Sequence, residues 1–333
     1  MMQTIKGLSA PVAVWVAASA AALLLAGCAG FPTTAEQVGR ATPAAPELAI
    51  QSWRTDEGAK VMFVPSPALP MLDVRLVMDA GSARDGDQPG VAALTSALLG
   101  EGAEGLSVDD IARGFEDRGA RFSTGSYQDM GVISLRTLSR PRWRDDAVDL
   151  LARVIGTPTF PQDALERVRT SALQGLKMEK QVPGPQVNKA FQRTLFGDHP
   201  YGHPQSGTLE SLPGIERADL VAFHQRYYAA GNAVIALVGD VSREQAEAIA
   251  EQLSEALPRG DAAPELARAE RLKERVTEHV DFPSNQTHIL IGNQATWRGN
   301  PDHVPLYVGN YILGGGGFAS LLTQKVREEK GYV

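Results

Sequence analysis

The sequence has almost no cysteine, because Cys28 is the single one among its 333 residues. An intrachain disulfide is therefore excluded. A block of basic residues is also missing, since the formal net charge of −7 is spread along the chain. That distribution argues against a nucleic-acid partner. A hydrophobic content of 43% over this length is enough for one complete core and part of another, so two domains are expected.

The N-terminus has the pattern of a bacterial export signal. Lys6 precedes an apolar run over residues 11–25, which is short for a membrane span and typical of a signal peptide covering residues 1–27. The run ends in Leu25-Ala-Gly-Cys28, which resembles a lipobox. This resemblance implies cleavage before Cys28, diacylation of its thiol, and a lipid anchor in the cell envelope. Ala29 after the cysteine implies the outer membrane, facing the periplasm.

The alternative for Cys28 is a free or buried thiol after an ordinary signal peptide. Residues 28–46, rich in Ala, Pro, Thr and Gly, are predicted to be a flexible tether.

A globular α+β domain is predicted over residues 47–258, because strand-like runs are mixed with helical hairpins rather than alternating regularly with helices. Ser107 is a good helix-capping residue, and Asp109 and Asp110 follow it where a helix dipole favours anions. The predicted strands are 60–64, 73–79, 120–127, 131–138 and 233–240, and the predicted helices are 90–100, 107–118, 142–155, 162–181, 186–196, 218–229 and 242–257.

A polar linker is predicted over residues 259–270, followed by the start of a second domain over residues 271–333. In outline the order of elements repeats there. Residues 276–280 and 287–292 look like strands and residues 302–313 like a helix. A glycine run then introduces a final helix that contains Arg327.

This last stretch, LGGGGFASLLTQKVREEKGYV over residues 313–333, closely resembles the second-domain signature of the insulinase and mitochondrial-processing-peptidase (pitrilysin-type) superfamily of zinc metallopeptidases. The resemblance implies two similar α/β sandwich domains, each an antiparallel-rich sheet covered by helices, with the second incomplete here. It also implies that Arg327 helps to hold a substrate peptide, with Gly315, Gly316 and Phe318 beside it. The family's tyrosine, seven residues after the arginine, would be the first residue after Val333.

A simpler interpretation of Arg327 is that it stabilises the helix dipole together with Lys325 and Lys330. The order of the whole motif, rather than the charges alone, favours the substrate-binding interpretation.

The family's inverted zinc motif, His-x-x-Glu-His, is missing from the first half. Aligned on Gly90, its three functional positions are Ala93, Ser96 and Ala97. Offsets of zero, three and four place such side chains on one helix face, where two imidazoles bind zinc and a carboxylate activates water. Alanine is no ligand, and serine cannot replace the carboxylate base. The core-facing positions of the same helix remain apolar, namely Val91, Leu94 and Leu98.

The third zinc ligand of the family is a glutamate on a later helix, and the best-matching position here is Gln174. Glu179 lies about one turn too far along. All three ligands and the base are therefore missing, which predicts that this chain binds no metal and no other cofactor.

Two other patterns were considered as ligand sites. His199 and His203 are four residues apart, a metal-binding spacing only on a helix, and Pro200 and Gly202 forbid a regular helix between them. The glycine run at 314–317 lacks the Gly-Lys-Ser/Thr ending that holds a nucleotide.

The resemblance and the missing ligands together predict a lipid-anchored, non-catalytic subunit of a heterodimeric peptidase. A homologous partner with an intact motif would bring the zinc, and the substrates would be unfolded peptides. Two alternatives stay open at this point: an autonomous zinc metalloendopeptidase with atypical ligands, and a non-proteolytic scaffold lipoprotein of the cell envelope.

Overall fold

The computed structural model describes residues 49–333. The predictions for Cys28, the signal peptide and the tether lie outside these residues. From residue 49 onward, no helix combines the length and the apolar character that a membrane crossing requires.

The centre of the fold is a six-stranded sheet with the order β1-β2-β8-β3-β7-β6. Only β2 and β8 pair in parallel, and the other neighbours are antiparallel. A separate two-stranded ribbon is formed by β4 and β5. The strands are β1 (Gln51–Arg54), β2 (Lys60–Pro65), β3 (Met71–Met78), β4 (Gly102–Ala103), β5 (Leu106–Ser107), β6 (Arg121–Ser126), β7 (Gly131–Leu138) and β8 (Ala233–Gly239).

The two faces of the sheet differ in polarity, because successive side chains of a strand point to opposite faces. On the helix-covered face, Leu76 of β3 lies opposite Ile133 of β7 and Ile235 of β8, and all three are fully buried. On the other face, Asp73 lies directly opposite Arg136 and accepts hydrogen bonds of 2.6 and 3.0 Å from it. An antiparallel-rich sheet with one packed face follows from this alternation.

Helices follow, and several of them pack against strands of the sheet. They are α1 (Val91–Leu98), α2 (Val108–Glu116), α3 (Pro141–Gly156), α4 (Gln162–Glu179), α5 (Pro183–Phe196), α6 (Arg217–Tyr227), α7 (Arg243–Ala256) and α8 (His303–Asn310).

Local sequence explains where several of these helices begin. Ser107 and Asp110 form a capping box at α2, in which each side chain bonds the other residue's backbone N–H, at 3.2 and 3.0 Å. Ser242 and Gln245 form the same arrangement at α7. Pro141 occupies the first turn of α3, where its missing N–H costs nothing.

The predicted α+β class is confirmed, with every predicted strand and helix before residue 258 present within a few residues. Two predicted strands are wrong. Residues 276–280 and 287–292 have no regular structure, and neither pairs with another strand among the described residues. Their strand-like composition has no effect without neighbouring strands to complete the hydrogen bonds.

After α8 the chain continues as short helical segments. Tyr311–Gly315 and Thr323–Glu328 are π-helical, and Gly317–Ala319 is a single 3₁₀ turn. Leu321 and Leu322 of the predicted final helix are exposed. The domain boundaries proposed from the sequence, with a linker at 259–270, stay a prediction.

Candidate functional site

The helix that corresponds to the zinc-binding motif is α1, and it is intact. It follows Gly90, whose φ of +103° is a left-handed conformation that favours glycine. The Asp85 carboxylate accepts hydrogen bonds from the backbone N–H groups of Gly90 at 2.7 Å and Ala92 at 2.9 Å. A side chain just upstream of the helix therefore satisfies N–H groups at its N-terminus.

Asp85 is buried, and this burial raises its pKa to about 7. The two backbone hydrogen bonds from Gly90 and Ala92 act in the opposite direction. No periodic pattern in the sequence marks Asp85. The available signal was an acidic residue just before a turn-rich Gly-Asp-Gln-Pro-Gly stretch that leads into a helix.

The four positions of the zinc site lie on helices that pack against each other, because α4 contacts α1. Ala93 is half-buried, Ser96 is buried and Ala97 is exposed on α1, while Gln174 is exposed on α4. None of these side chains supplies an imidazole or carboxylate. Across residues 49–333 there is no group of three or more His, Cys, Asp or Glu side chains that could hold a metal ion. The donor chemistry at these positions does not fit a catalytic zinc ion.

Beneath Ser96 lies an aromatic cluster that keeps α1 in place. Tyr228 is fully buried, which raises its pKa, and its hydroxyl lies close to Ser96 without a hydrogen bond of normal geometry among the described residues. The His224 ring stacks on Tyr228 with 5.3 Å between centroids, and its Nε2 donates to the Ile155 carbonyl at 2.8 Å. Burial lowers the pKa of His224 to about 4. His224 is therefore a neutral core residue with a satisfied hydrogen bond.

A polar rim adjoins the N-terminal end of α1. The Arg84 guanidinium forms a two-pronged ion pair with Asp79, in which Nε donates to Oδ1 at 2.7 Å, and this hydrogen bonding raises the pKa of Arg84. The Tyr201 hydroxyl donates to the Asp129 carboxylate. Burial, and then this contact, raise the pKa of Tyr201 to about 12. These charges are paired with one another and offer no free base.

The two histidines with metal-like spacing do not form a pair of ligands. Residues Pro200–Gly202 form a 3₁₀ turn between them. His199 uses both ring nitrogens in contacts with the protein, accepting from the Tyr201 N–H at 3.1 Å and bonding the Ala267 carbonyl at 2.8 Å. No regular helix connects the two histidines, as the proline and glycine between them predict.

The sequence-predicted substrate residues lie together near the end of the chain. The Arg327 guanidinium lies 5.4 Å from the centroid of the Phe318 ring, in cation–π geometry. Gly315 ends one π-helical segment, and the Gly316 N–H donates to the Tyr311 carbonyl at 2.7 Å. About half of the Arg327 side chain is exposed. Among the described residues, no hydrogen bond or ion pair joins Gly315, Gly316, Phe318 or Arg327 to α1.

Together, these features fit a metallopeptidase-type fold in which the positions aligned with the zinc motif carry Ala93, Ser96, Ala97 and Gln174. Two family models match the chain: Insulinase (Peptidase family M16) over residues 60–209, and Peptidase M16 inactive domain over residues 214–333.

Among solved structures, the chain is similar to a peptidase M16 inactive domain from Pseudomonas fluorescens. The two are 46% identical with a TM-score of 0.81, over 85% of this chain and 69% of that one. The chain belongs to the insulinase family, peptidase family M16.

Curated relatives are more distant. An uncharacterized zinc protease of Mycobacterium leprae is 28% identical over 278 residues, which are 82% of this chain and 62% of the relative. A non-peptidase homolog, YmxG of Helicobacter pylori, is 26% identical over 275 residues, which are 81% of this chain and 62% of the relative. The chain thus spans slightly less than two thirds of the length of these two proteins.

Proposed function

We propose that this insulinase-family protein is the non-catalytic, substrate-holding subunit of a heterodimeric zinc peptidase. The observation that carries the proposal is the state of the motif helix α1. Its core packing and its N-terminal hydrogen bonds are intact, while Ala93, Ser96 and Ala97 offer no zinc ligand and no base. In this proposal α1 keeps its structural role and has no catalytic one.

Gln174 supports the same proposal from a second helix. It occupies the position expected for the third ligand, on a helix that packs against α1, and its amide is a poor substitute for a carboxylate as a zinc ligand. The relatives support it too, because the homolog from Helicobacter pylori is called a non-peptidase and the Pseudomonas structure an inactive domain.

In this proposal a homologous partner brings the zinc ion and the glutamate base. The metal would lower the pKa of a bound water and polarise the scissile carbonyl, as in other zinc peptidases. The present chain would bring Arg327, whose planar guanidinium gives directional hydrogen bonds to peptide carbonyls. Phe318, which lies against that guanidinium, would limit its orientations.

The localisation in this proposal is the cell envelope. Lipidation of Cys28 would hold the subunit at the outer membrane, facing the periplasm, where unfolded peptides are its substrates. The motif around Cys28 supports this part of the proposal.

The decisive experiment measures zinc content and hydrolysis of unfolded peptides for the full-length protein, alone and with a homologue from the same genome that carries an intact His-x-x-Glu-His motif. We expect less than 0.1 zinc per chain and no hydrolysis alone, and partner-dependent hydrolysis in the mixture. One zinc per chain with chelator-sensitive cleavage by the protein alone would instead establish an autonomous metallopeptidase.

The non-proteolytic scaffold is tested in the same mixture with Arg327→Ala. Unchanged hydrolysis by a complex that contains this variant would exclude the substrate-holding role. Lys330→Ala is the matched control, because it removes another exposed cation from the same segment.

A further inference from the structure

The segment that follows α7 has no regular secondary structure, yet its backbone is bonded to the first half of the molecule. We name residues 258–267 the strap. The Ala230 N–H donates to the Pro258 carbonyl at 3.0 Å, and the Gly231 N–H donates to the Gly260 carbonyl at 3.1 Å. A Cβ atom at Gly231 would lie 2.4 Å from the Gly260 oxygen. Glycine at 231 is therefore required for this close approach.

Asn232 fastens the middle of the strap. Its side-chain Oδ1 accepts from the Ala263 N–H at 2.9 Å, and its Nδ2 donates to the carbonyls of Tyr227 at 2.7 Å and Asp79 at 3.1 Å. One amide group thus joins the strap to the end of α6 and to the chain just after β3. That part of the chain continues through Arg84 and Asp85 into the motif helix α1.

His199 fastens the far end of the strap. Its Nδ1 accepts from the Tyr201 N–H, so Nε2 carries the hydrogen and donates it to the Ala267 carbonyl at 2.8 Å. The Tyr201 hydroxyl in turn donates to Asp129, at the tip of the turn between β6 and β7. Both ring nitrogens of His199 are therefore used in bonds within the protein, and one of these bonds holds the strap.

We propose that the strap has two states. In the closed state its hydrogen bonds to Asn232 and His199 hold it against the first half of the molecule, and in the open state these bonds are released. A free polar linker would leave the carbonyls and N–H groups of residues 258–267 to water. Here the groups named above go to side chains and backbone of the first half. Opening the strap removes one of the three bonds that hold the Asn232 amide, the group that also bonds the Asp79 carbonyl on the approach to α1.

Limited trypsin digestion of the full chain tests the strap, because cleavage requires a segment of about ten residues to leave the surface. The bonds to follow are Arg259–Gly260 and Arg268–Ala269, since both arginines are exposed. Ala263→Pro removes the N–H that Asn232 accepts. The matched control is Ala262→Pro, because Ala262 is exposed and its N–H makes no hydrogen bond within residues 49–333.

We expect cleavage at these bonds to be about five-fold faster in Ala263→Pro than in the wild type, as follows from losing one ordinary hydrogen bond. Ala262→Pro should be cleaved at the wild-type rate. A peptide of sequence 255–272 gives the rate of the unfastened segment. Equal rates for this peptide and the wild-type protein would overturn the proposal, and so would equal acceleration by both prolines.

His199→Phe tests the second fastening point without changing the strap itself. Phenylalanine keeps an aromatic ring beside Phe196 and Tyr201 and loses the Nε2 donor. We expect faster exchange of the Ala263 amide hydrogen and faster cleavage after Arg268 by a similar factor, with the melting temperature nearly unchanged. Unchanged exchange and cleavage in this variant would show that His199 does not hold the strap.

Discussion

Isoleucines in strand-like runs are buried in the first half of this chain and exposed in the second. In the sheet, Ile235 lies on the central strand β8 and is fully buried. In the later half, Ile291 lies in an equally strand-like run and is 94% exposed. Residues 272–280 and 287–293 line a cavity of about 800 Å³ together with α5. Within residues 49–333, neither segment pairs with a strand.

The difference shows that strand-like composition is a conditional signal. A strand needs partners for its backbone N–H and C=O groups, and a side chain contributes to β-structure through packing on its neighbours. Residues 60–65 and 233–239 have such neighbours on both sides, whereas residues 287–292 have none among the described residues. Runs of similar apolar composition therefore form part of the core in one half and an exposed segment in the other.

The largest effect is expected from a matched pair of truncations. Ile235→Ala removes packed methyl groups from the centre of the core and should lower the free energy of unfolding by about 2–5 kcal/mol. Ile291→Ala removes the same atoms from an exposed site and should change it by less than about 0.5 kcal/mol. Urea denaturation of the full chain measures both. A loss of equal size at the two positions would contradict the contrast between the halves.

A second pair compares carboxylates beside two helix N-termini: buried Asp85 before α1 and exposed Asp302 before α8. Burial raises the folded-state pKa of Asp85 to about 7, so the folded protein binds the proton more tightly than the unfolded chain. The contribution of protonated Asp85 to the free energy of unfolding is fully present below about pH 4. It decreases as the pH rises to 7, by roughly 4 kcal/mol at most.

Asp85→Asn should therefore make stability fall less steeply, or rise more steeply, as the pH increases, and Asp302→Asn is the matched carboxylate control at an exposed helix start. Thermal unfolding followed between pH 4 and 8 measures the slope. If Asp85→Asn leaves the slope as in the wild type, Asp85 ionises in the folded state as it does in the unfolded chain.

A third pair compares buried His224 with exposed His279. Burial lowers the folded-state pKa of His224 to about 4, below that of the unfolded chain. The contribution of neutral His224 to the free energy of unfolding is fully present above about pH 6.5. It decreases by about 3 kcal/mol as the pH falls toward 4. This slope is opposite to that of Asp85, so the two partly cancel in the wild type.

His224→Phe should expose the Asp85 slope, since phenylalanine fills the space beside Phe160 and Tyr228 without titrating. It also loses the bond to the Ile155 carbonyl, which lowers stability at every pH. His279→Phe is the matched control, because it removes an exposed histidine, one that lies beside Asp281. The same thermal-unfolding series measures both, and identical profiles for the two variants would exclude a neutral buried His224.

The smallest effect is expected in the later half and concerns activity rather than stability. Arg327→Ala should reduce partner-dependent peptide hydrolysis about ten-fold, equivalent to about 1.4 kcal/mol of transition-state stabilisation. Stability should change little, because the side chain is half-exposed and its two partners, Glu328 at 3.9 Å and the Phe318 ring, are themselves exposed. Initial rates for the reconstituted complex, with Lys330→Ala alongside, measure the effect.

Most of the first half was predictable because its signals are local. Ser107 and Ser242 cap helices through neighbouring residues, and β3 and β7 alternate apolar and polar side chains regularly. The short edge strand β1 was missed, because four residues carry too little alternation to be recognised. Asp85 and Asn232 were missed as well, since their partners come from turns and carbonyls that no periodicity reveals.

By itself the sequence determined the α+β class and the family, and it predicts that Ala93, Ser96, Ala97 and Gln174 replace the zinc ligands and the base. These properties depend on residue identity and short-range order. Only the tertiary structure decided that residues 276–280 and 287–292 are not strands, that Asp85 bonds the start of α1, and that Asn232 and His199 hold the strap. The missing strands and the bonds of the strap depend on contacts between residues far apart in sequence, which form only when the whole chain is folded. The Asp85 bonds are local, but they depend on the geometry of a turn that no periodicity reveals.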